Sequence, residues 1–379
     1  MKGKKTLAVL LSAAALLAAG KWGLGKLGEK RILFPPQITC QVLLEREPVS
    51  AGLLVNQANT GVYQFTCRYG LADGAVTLAE RDCWQSYEDT VSRAEYRKFR
   101  SLSDKTLTRV QRTGSGYLLI FHGNPAEPVT VMETDGAGNV TFSYDFDGVG
   151  TNAVFQSAIS GDDGVYALAY LKDTDTLTVT GVDRSGVELL SVGFTYDQLS
   201  GEESAEKRMG GFLFDGDNVL IRNGVLYFGA ACYSESPGAV IGAYDLSGDA
   251  SLYYQKLDGA QMAAVRWEED RFSVLVNRKR FTPLEVHTFS MADFSEQVTL
   301  LPLPEEFTAC PWYSEGYYLF PSAMTSHRAA VVLDDPAGAP DGLRRVLLAV
   351  WDTESGEMVY RCRLTLDADY DIYGLELAS

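Results

Sequence analysis

Histidine is nearly absent from this sequence: three residues in 379, His122, His287 and His327. That scarcity leaves few candidates for a general base, and no spacing joins any two of the three as metal ligands. The six cysteines (Cys40, Cys67, Cys83, Cys232, Cys310 and Cys362) contain no C-x-x-C pair, so neither a zinc nor a dithiol motif is written here. A Gly-x-Ser-x-Gly nucleophile elbow, a phosphate-binding loop and a dinucleotide fingerprint are all missing, because the glycine-rich runs precede strands instead of helices. Without heptads, glycine triplets or a second long apolar run, the chain is no coiled coil, collagen or multi-span membrane protein. Cations are in deficit as well. The 33 Lys and Arg against 50 Asp and Glu leave a formal charge of −17. A polyanion approaches such a field at a cost, which argues against nucleic acid as a partner.

What is present is globular and aromatic: 46% apolar residues, 36 Gly, 20 Tyr, 17 Phe and 5 Trp. The N-terminus stands apart. Lys2, Lys4 and Lys5 precede an unbroken run of small and apolar residues from Leu7 to Ala19, closed by Lys21. A basic head on an apolar core of this length reads as an export signal. Two outcomes fit residues 1–20: cleavage before Lys21, or retention as a single-span anchor with membrane attachment through residues 6–20. Both place the bulk of the chain outside the cytoplasm. Residues 21–36 read as a linker ending at Pro35 and Pro36, and 37–379 as the folded body. The cysteines read as small buried hydrophobes, with a bridge among Cys40, Cys67 and Cys83 as the covalent alternative.

Beyond the linker the chain becomes short runs of Val, Leu, Tyr, Phe and Thr, punctuated by Gly, Asp and Ser, which is strand punctuation. One unit recurs. GYLLIFH with PVTVMETDGAGNVTFSYDFD (116–147) is echoed at 164–194, 224–257, 272–302 and 346–366. Its turns are anchored by Asp135, Asp183, Asp245 and Asp352, followed within four residues by Gly138, Gly186, Gly248 and Gly356. Asp bonds its own turn backbone, and Gly supplies the positive φ of a tight hairpin. The 272–302 unit keeps the strands and loses the turn glycine. Unit starts near 61, 116, 164, 224, 272 and 316 are spaced like four-stranded propeller blades. The expected fold is therefore all-β, a β-propeller of about six to seven four-stranded blades, closed by Tyr373–Leu377 pairing with the N-terminal strand.

This repeated strand–Asp–turn–Gly–strand pattern resembles bacterial extracytoplasmic β-propellers of the WD40-like and quinoprotein-like kind. The resemblance covers roughly residues 40–379 and implies a binding platform. It has departures. The Gly-His and Trp-Asp pair of WD40 repeats is missing, apart from Trp351-Asp352 at one hairpin, and so are the tryptophan docking motifs of quinone enzymes. No cofactor is expected.

Three features carry candidate chemistry. Residues 83–102 place Trp84, Tyr87, Val91, Ala94 and Leu102 at helical spacing and hold a basic cluster, Arg93, Arg97, Lys98 and Arg100. They read as one short helical insertion covering a sheet edge, and alternatively as a docking element for an acidic partner or lipid headgroups. Trp312 and Tyr313, after Pro311, are the candidate aromatic lining of a propeller mouth, where rings would meet sugars or peptide side chains. Carboxylate pairs (Asp145 with Asp147, Asp173 with Asp175, Asp215 with Asp217) are too numerous to single one out. The Asp367, Asp369, Asp371, Gly374 string reads as a solvated turn, with calcium as its alternative. The leading expectation is an exported, non-catalytic propeller that binds a protein or cell-envelope component at one face. A carbohydrate-active hydrolase or lyase using two funnel carboxylates is the second, and a metal-stabilised sensor the third.

Overall fold

Each sheet of this protein is built from strands that follow one another in sequence, with two exceptions that tie the chain's ends together. The computed structural model describes residues 37–57, 66–79, 91, 93–123, 127–146, 152–201, 209–214, 216–232, 238–278, 283–304, 321–335 and 338–377. Residues 1–36, the expected signal and linker, lie outside them, as do Trp84, Tyr87, Cys83, Cys310, Trp312 and Tyr313. Among the described residues no helix is long and apolar enough to cross a membrane.

The first described strand is β1 (Thr39–Glu45), which pairs with a strand near the other end of the chain. Sheet 1 takes β2 (Ala51–Gln57), β3 (Thr66–Gly70) and β4 (Val76–Ala79). Helix α1 (Arg93–Arg100) leads into sheet 2, which is β5 (Thr106–Arg112), β6 (Gly116–His122), β7 (Val129–Asp135) and β8 (Val140–Phe146). Sheet 3 is β9 (Ala153–Ser160), β10 (Gly164–Leu171), β11 (Thr176–Asp183) and β12 (Glu188–Phe194), followed by the short helix α2 (Tyr196–Ser200). In sheet 4, β13 (Phe212–Leu213) and β14 (Val219–Arg222) both pair with β15 (Val225–Cys232), which continues to β16 (Gly238–Asp245) and β17 (Ala250–Asp258). Sheet 5 is β18 (Ala260–Trp267), β19 (Arg271–Arg278), β20 (Leu284–Ser290) and β21 (Glu296–Leu301). Sheet 6 is β22 (Ser322–Met324), β23 (Arg328–Asp334), β24 (Leu343–Asp352) and β25 (Met358–Asp367). The last strand, β26 (Tyr370–Leu377), returns to sheet 1 and pairs with β2, while β1 pairs with β25 at the outer edge of sheet 6. Beginning and end are interlocked twice. The fold is nearly all-β, six antiparallel sheets among the described residues, and propeller-like.

Burial follows position in the sheet. The middle strands β6 and β7 are buried over six consecutive residues each, the mark of strands packed on both faces. The outer strands β8 and β12 expose alternate residues. Successive sheets share cores face to face. Leu118, Ile120, Val131 and Phe142 of sheet 2 meet Ala158, Val165 and Val182 of sheet 3. Sheets 3 and 4 join through Phe194, Phe214, Phe228 and Tyr244, sheets 4 and 5 through Ile241, Phe272 and Phe289. Sheets 5 and 6 meet around Trp351, whose Nε1 donates to Pro302 O at 3.0 Å, and sheets 6 and 1 around Leu348, Leu364 and Leu53.

The other face of sheet 2 is covered by α1. Val91 and the fully buried Phe99 pack on Leu107, Val110, Tyr117, Leu119 and Phe121. The helical insertion thus covers a sheet face, where an edge was expected, because Phe99 enters the side-chain layer of β5 and β6.

The aspartates anchor their turns as read from sequence, and Gly138, Gly186 and Gly356 take the positive φ, but in the Asp245 turn Asp249 (φ 49°) takes it in place of Gly248. Asp135 Oδ1 accepts from the backbone of Ala137 and Asn139, Asp183 Oδ1 from Ser185 and Val187, Asp245 Oδ1 from Ser247 and Gly248, and Asp352 Oδ1 from Glu354 and Ser355. In the turn that lost its glycine, Phe294 itself takes a φ of 55°. The unit starts at 116, 164, 224 and 272 mark the second strand of each sheet, one strand later than expected.

Candidate functional site

The first strands of successive sheets approach one another: β22 packs against both β18 and β26, and β14 against β9. Their sequences differ from the middle strands. In β5 (TLTRVQR), Arg109 and Gln111 alternate with buried Val110, so one face of the strand is polar. That polar face meets Asp217, carried by a short 3₁₀ turn (Gly216–Asn218) between β13 and β14. Arg109 Nη2 donates to Asp217 Oδ2 at 3.2 Å and Gln111 Nε2 to Oδ1 at 3.1 Å. Trp267, the last residue of β18, donates its Nε1 to the Asp217 carbonyl at 2.9 Å. Two side chains of sheet 2 thereby hold the carboxylate of Asp217, while Trp267 of sheet 5 fixes its backbone.

Burial pushes the Asp217 carboxyl up to about 6, although the Arg109 guanidinium favours its charged form. The side chain still exposes 34% of its surface, so it can exchange protons with solvent near neutral pH. Such a group is competent as an acid or base. The sequence named Asp217 only within a pair. Its partner Asp215 lies outside the described residues, and nothing in the spacing pointed to Arg109, Gln111 or Trp267. The signal available was the alternation of polar residues in β5.

Neighbouring inner strands are braced in the same region. Gln156 of β9 accepts from Phe214 N at 2.9 Å and donates to Phe212 O at 3.3 Å. Ser322 of β22 donates to Ala263 O of β18 at 2.7 Å.

The basic cluster sits on α1. Arg93 begins the helix, and positions 97 and 100 fall on one ridge, away from the buried Phe99. Arg97, Lys98 and Arg100 are exposed. The helix is fixed under them: Tyr117 donates to Glu95 at 2.9 Å, Lys98 donates to Ala137 O, and Phe99 lies 4.8 Å from the Tyr117 ring. The result is a positively charged ledge held against sheet 2 of an acidic protein.

The histidines do not meet. His122 on β6 packs edge to face with Phe155, and burial lowers its basicity; His327 is exposed, 3.7 Å from Glu354. His287 on β20 is buried between two carboxylates, its Nε2 2.8 Å from Glu285 Oε2 and its Nδ1 2.6 Å from Glu296 Oε1. Arg278 supports Glu285 at 2.8 Å, and Gln255 of sheet 4 reaches Glu296 at 3.4 Å. Each ring nitrogen thus lies within hydrogen-bond distance of its own carboxyl group, and the imidazole separates the two. Sequence reading passed over this triad because its members come from two strands. Among the described residues no group of three or more His, Cys, Asp or Glu is arranged to hold a metal ion. Asp367 and Asp369 flank the hairpin between β25 and β26.

No protein-family model and no curated protein matches the chain. Solved structures do. A tryptophan-to-alanine variant of Synechocystis apocarotenoid oxygenase is similar with a TM-score of 0.51 at 8% identity, covering 91% of this chain and 96% of that one. Cobalt-substituted Synechocystis apocarotenoid oxygenase reaches 0.48 at 10% identity over 91% and 96%. A europium-containing methanol dehydrogenase reaches 0.37 at 8% identity over 87% and 73%. The first is a likeness of fold alone, and the two lower scores carry no argument.

Proposed function

We propose that this chain is an exported binding protein, a closed ring of six blades that holds a protein or cell-envelope component at one face. The six sheets would surround an axis lined by β26, β5, β9, β14, β18 and β22. The observation that carries the reading is the α1 ledge. Three cationic side chains stand exposed on a helix anchored by Phe99, Tyr117 and Lys98, so the backbone that carries them needs no ordering on binding. In an acidic chain, a local cationic surface selects an acidic peptide or an anionic envelope polymer. Trp312 and Tyr313 remain proposed contacts for sugar or peptide at the same ring. Residues 1–20 would direct export, followed either by cleavage or by anchoring through 6–20.

A second reading is favoured by Asp217. An axial carboxyl poised near pH 6 is suited to acid–base work on an envelope carbohydrate. Two outcomes separate the readings. If residues 37–379 retain one dominant component of detergent-solubilised envelope and Asp217→Asn retains it equally, the binding reading holds. Turnover of an envelope polysaccharide that Asp217→Asn abolishes would replace it with the hydrolytic one.

A further inference from the structure

The ladder between β1 and β25 places two cysteines side by side. Cys40 faces Leu364 and Cys362 faces Val42, which makes the cysteines diagonal neighbours on one face of sheet 6. Their environments differ sharply. Cys362 is fully buried, and Cys40 is exposed on the outer strand. Tyr360, two residues from Cys362 on β25, packs in the same core cluster, so a phenol lies on the same face of the strand as the buried thiol. Tyr69 of β3 faces the pair from sheet 1. Both thiols are free in this structure.

We infer that Cys40 and Cys362 are a thiol–disulfide pair that closes into a covalent latch between β1 and β25. The neighbouring Cys362 thiol, seconded by Tyr360, brings Cys40 down to about 7, and Cys40 together with burial pushes Cys362 up. The exposed sulfur is therefore the thiolate and the nucleophile, and the buried one resolves. The oxidant is a low-molecular-weight disulfide. Cys40 thiolate attacks one of its sulfurs, forming a mixed disulfide and releasing the first small thiolate. Cys362 then attacks Cys40 Sγ, its proton passing to the second departing thiolate. Two electrons leave the protein, and the disulfide becomes two thiols. The register shift between Val42 and Leu44 and the edge position of β1 let the strand move to bridging distance. The latch would fasten the first strand of the body to the strand that precedes its last, and it does not depend on the binding reading.

The test uses the full chain, purified reduced, incubated with oxidised glutathione and cut after glutamate without reductant. Mass spectrometry is expected to find peptides 30–45 and 358–376 joined, a product that needs no variant. In parallel, iodoacetamide labelling of Cys40 across pH is expected to rise with a midpoint near 7. In Cys362→Ala that midpoint moves up by at least one pH unit, and oxidation stops at the Cys40–glutathione adduct. A wild-type Cys40 that joins another cysteine, or that remains a glutathione adduct, would overturn the inference. So would a labelling midpoint unchanged in Cys362→Ala.

Discussion

At the residue scale, the buried His287 and the half-buried Asp217 decide how stability responds to substitution and pH. His287 separates Glu285 and Glu296 in a site where its own side chain is only 4% exposed. Removing it leaves two carboxylates facing an empty space with no donor between them. We expect His287→Ala to cost about 3 kcal/mol in unfolding free energy, the loss typical of breaking a buried charged network. Urea denaturation checks this, and a loss below about 1 kcal/mol would show the triad to be solvated. Asp217 acts in the opposite sense. Its folded pKa is raised, so the folded state holds the proton longer than the unfolded chain, and stability falls as pH rises from about 4 to about 6. Asp217→Asn removes that slope. Melting temperature measured from pH 4 to 7 is expected to decline less in the variant than in the wild type. The turn carboxylates work below that window. Asp135 is held down by the Asn139 backbone, Asp183 by the Ser185 hydroxyl and Asp245 by the Gly248 backbone, so their contribution is complete above the ordinary aspartate value and lost as pH falls beneath it.

At the element scale, the five hairpins answer the same demand differently. Three of them put the left-handed residue on glycine (Gly138, Gly186 and Gly356) and a fourth on Asp249, and a Cβ on Gly356 would clash with Leu300 O of sheet 5. The fifth replaces glycine with Phe294, which accepts the left-handed backbone and stacks its ring on Tyr253 of sheet 4 at 5.2 Å. Packing offsets the conformational cost. Truncation should expose this balance: Phe294→Ala loses the ring and keeps the left-handed backbone, whereas Phe294→Gly loses the ring and relieves it. We expect the glycine variant to be the more stable of the two by about 1 kcal/mol, the reverse of the usual order. Equal stabilities in chemical denaturation would mean that the backbone cost is negligible here.

Legibility in the sequence follows the same elements. The later strands of several sheets were readable because stretches such as GYLLIFH are almost wholly apolar and others, such as PVTVMETD, are rich in β-branched residues and end at an Asp turn. The first strands were not. Arg109, Gln111 and Gln261 dilute their apolar pattern, since one face looks toward other inner strands instead of a core. The candidate site suffers for that reason, as Asp217 gains meaning only when β5 and β18 are brought to it. The α1 cluster was legible as charge and spacing, while the face it covers required Phe99 to be seen in place.

At the scale of the whole molecule, the two terminal strands have unequal weight. β26 contributes buried Tyr370, Ile372 and Leu375 to the core between sheets 6 and 1, whereas β1 exposes most of its residues at an edge. Deleting residues 370–379 should therefore abolish cooperative unfolding, because β2 loses one of its two neighbours and becomes an exposed edge, and that core is opened. Deleting 37–45 should lower the melting temperature and leave a cooperative transition. Calorimetry on the two truncations distinguishes them, and equal effects would contradict this division of roles. The chain as a whole is acidic, at a formal −17, and the exposed Arg97, Lys98 and Arg100 of α1 carry the opposite sign.

That ledge is the most direct point of attack on the functional account. The measurement is retention of detergent-solubilised envelope components by residues 37–379, compared with an Arg97→Glu and Arg100→Glu double variant that melts at the same temperature. The account predicts that the component retained by the wild type falls at least tenfold on the variant, and that raising ionic strength weakens wild-type retention in the same direction. Retention unchanged by the charge reversal would contradict it and move the binding surface elsewhere on the ring.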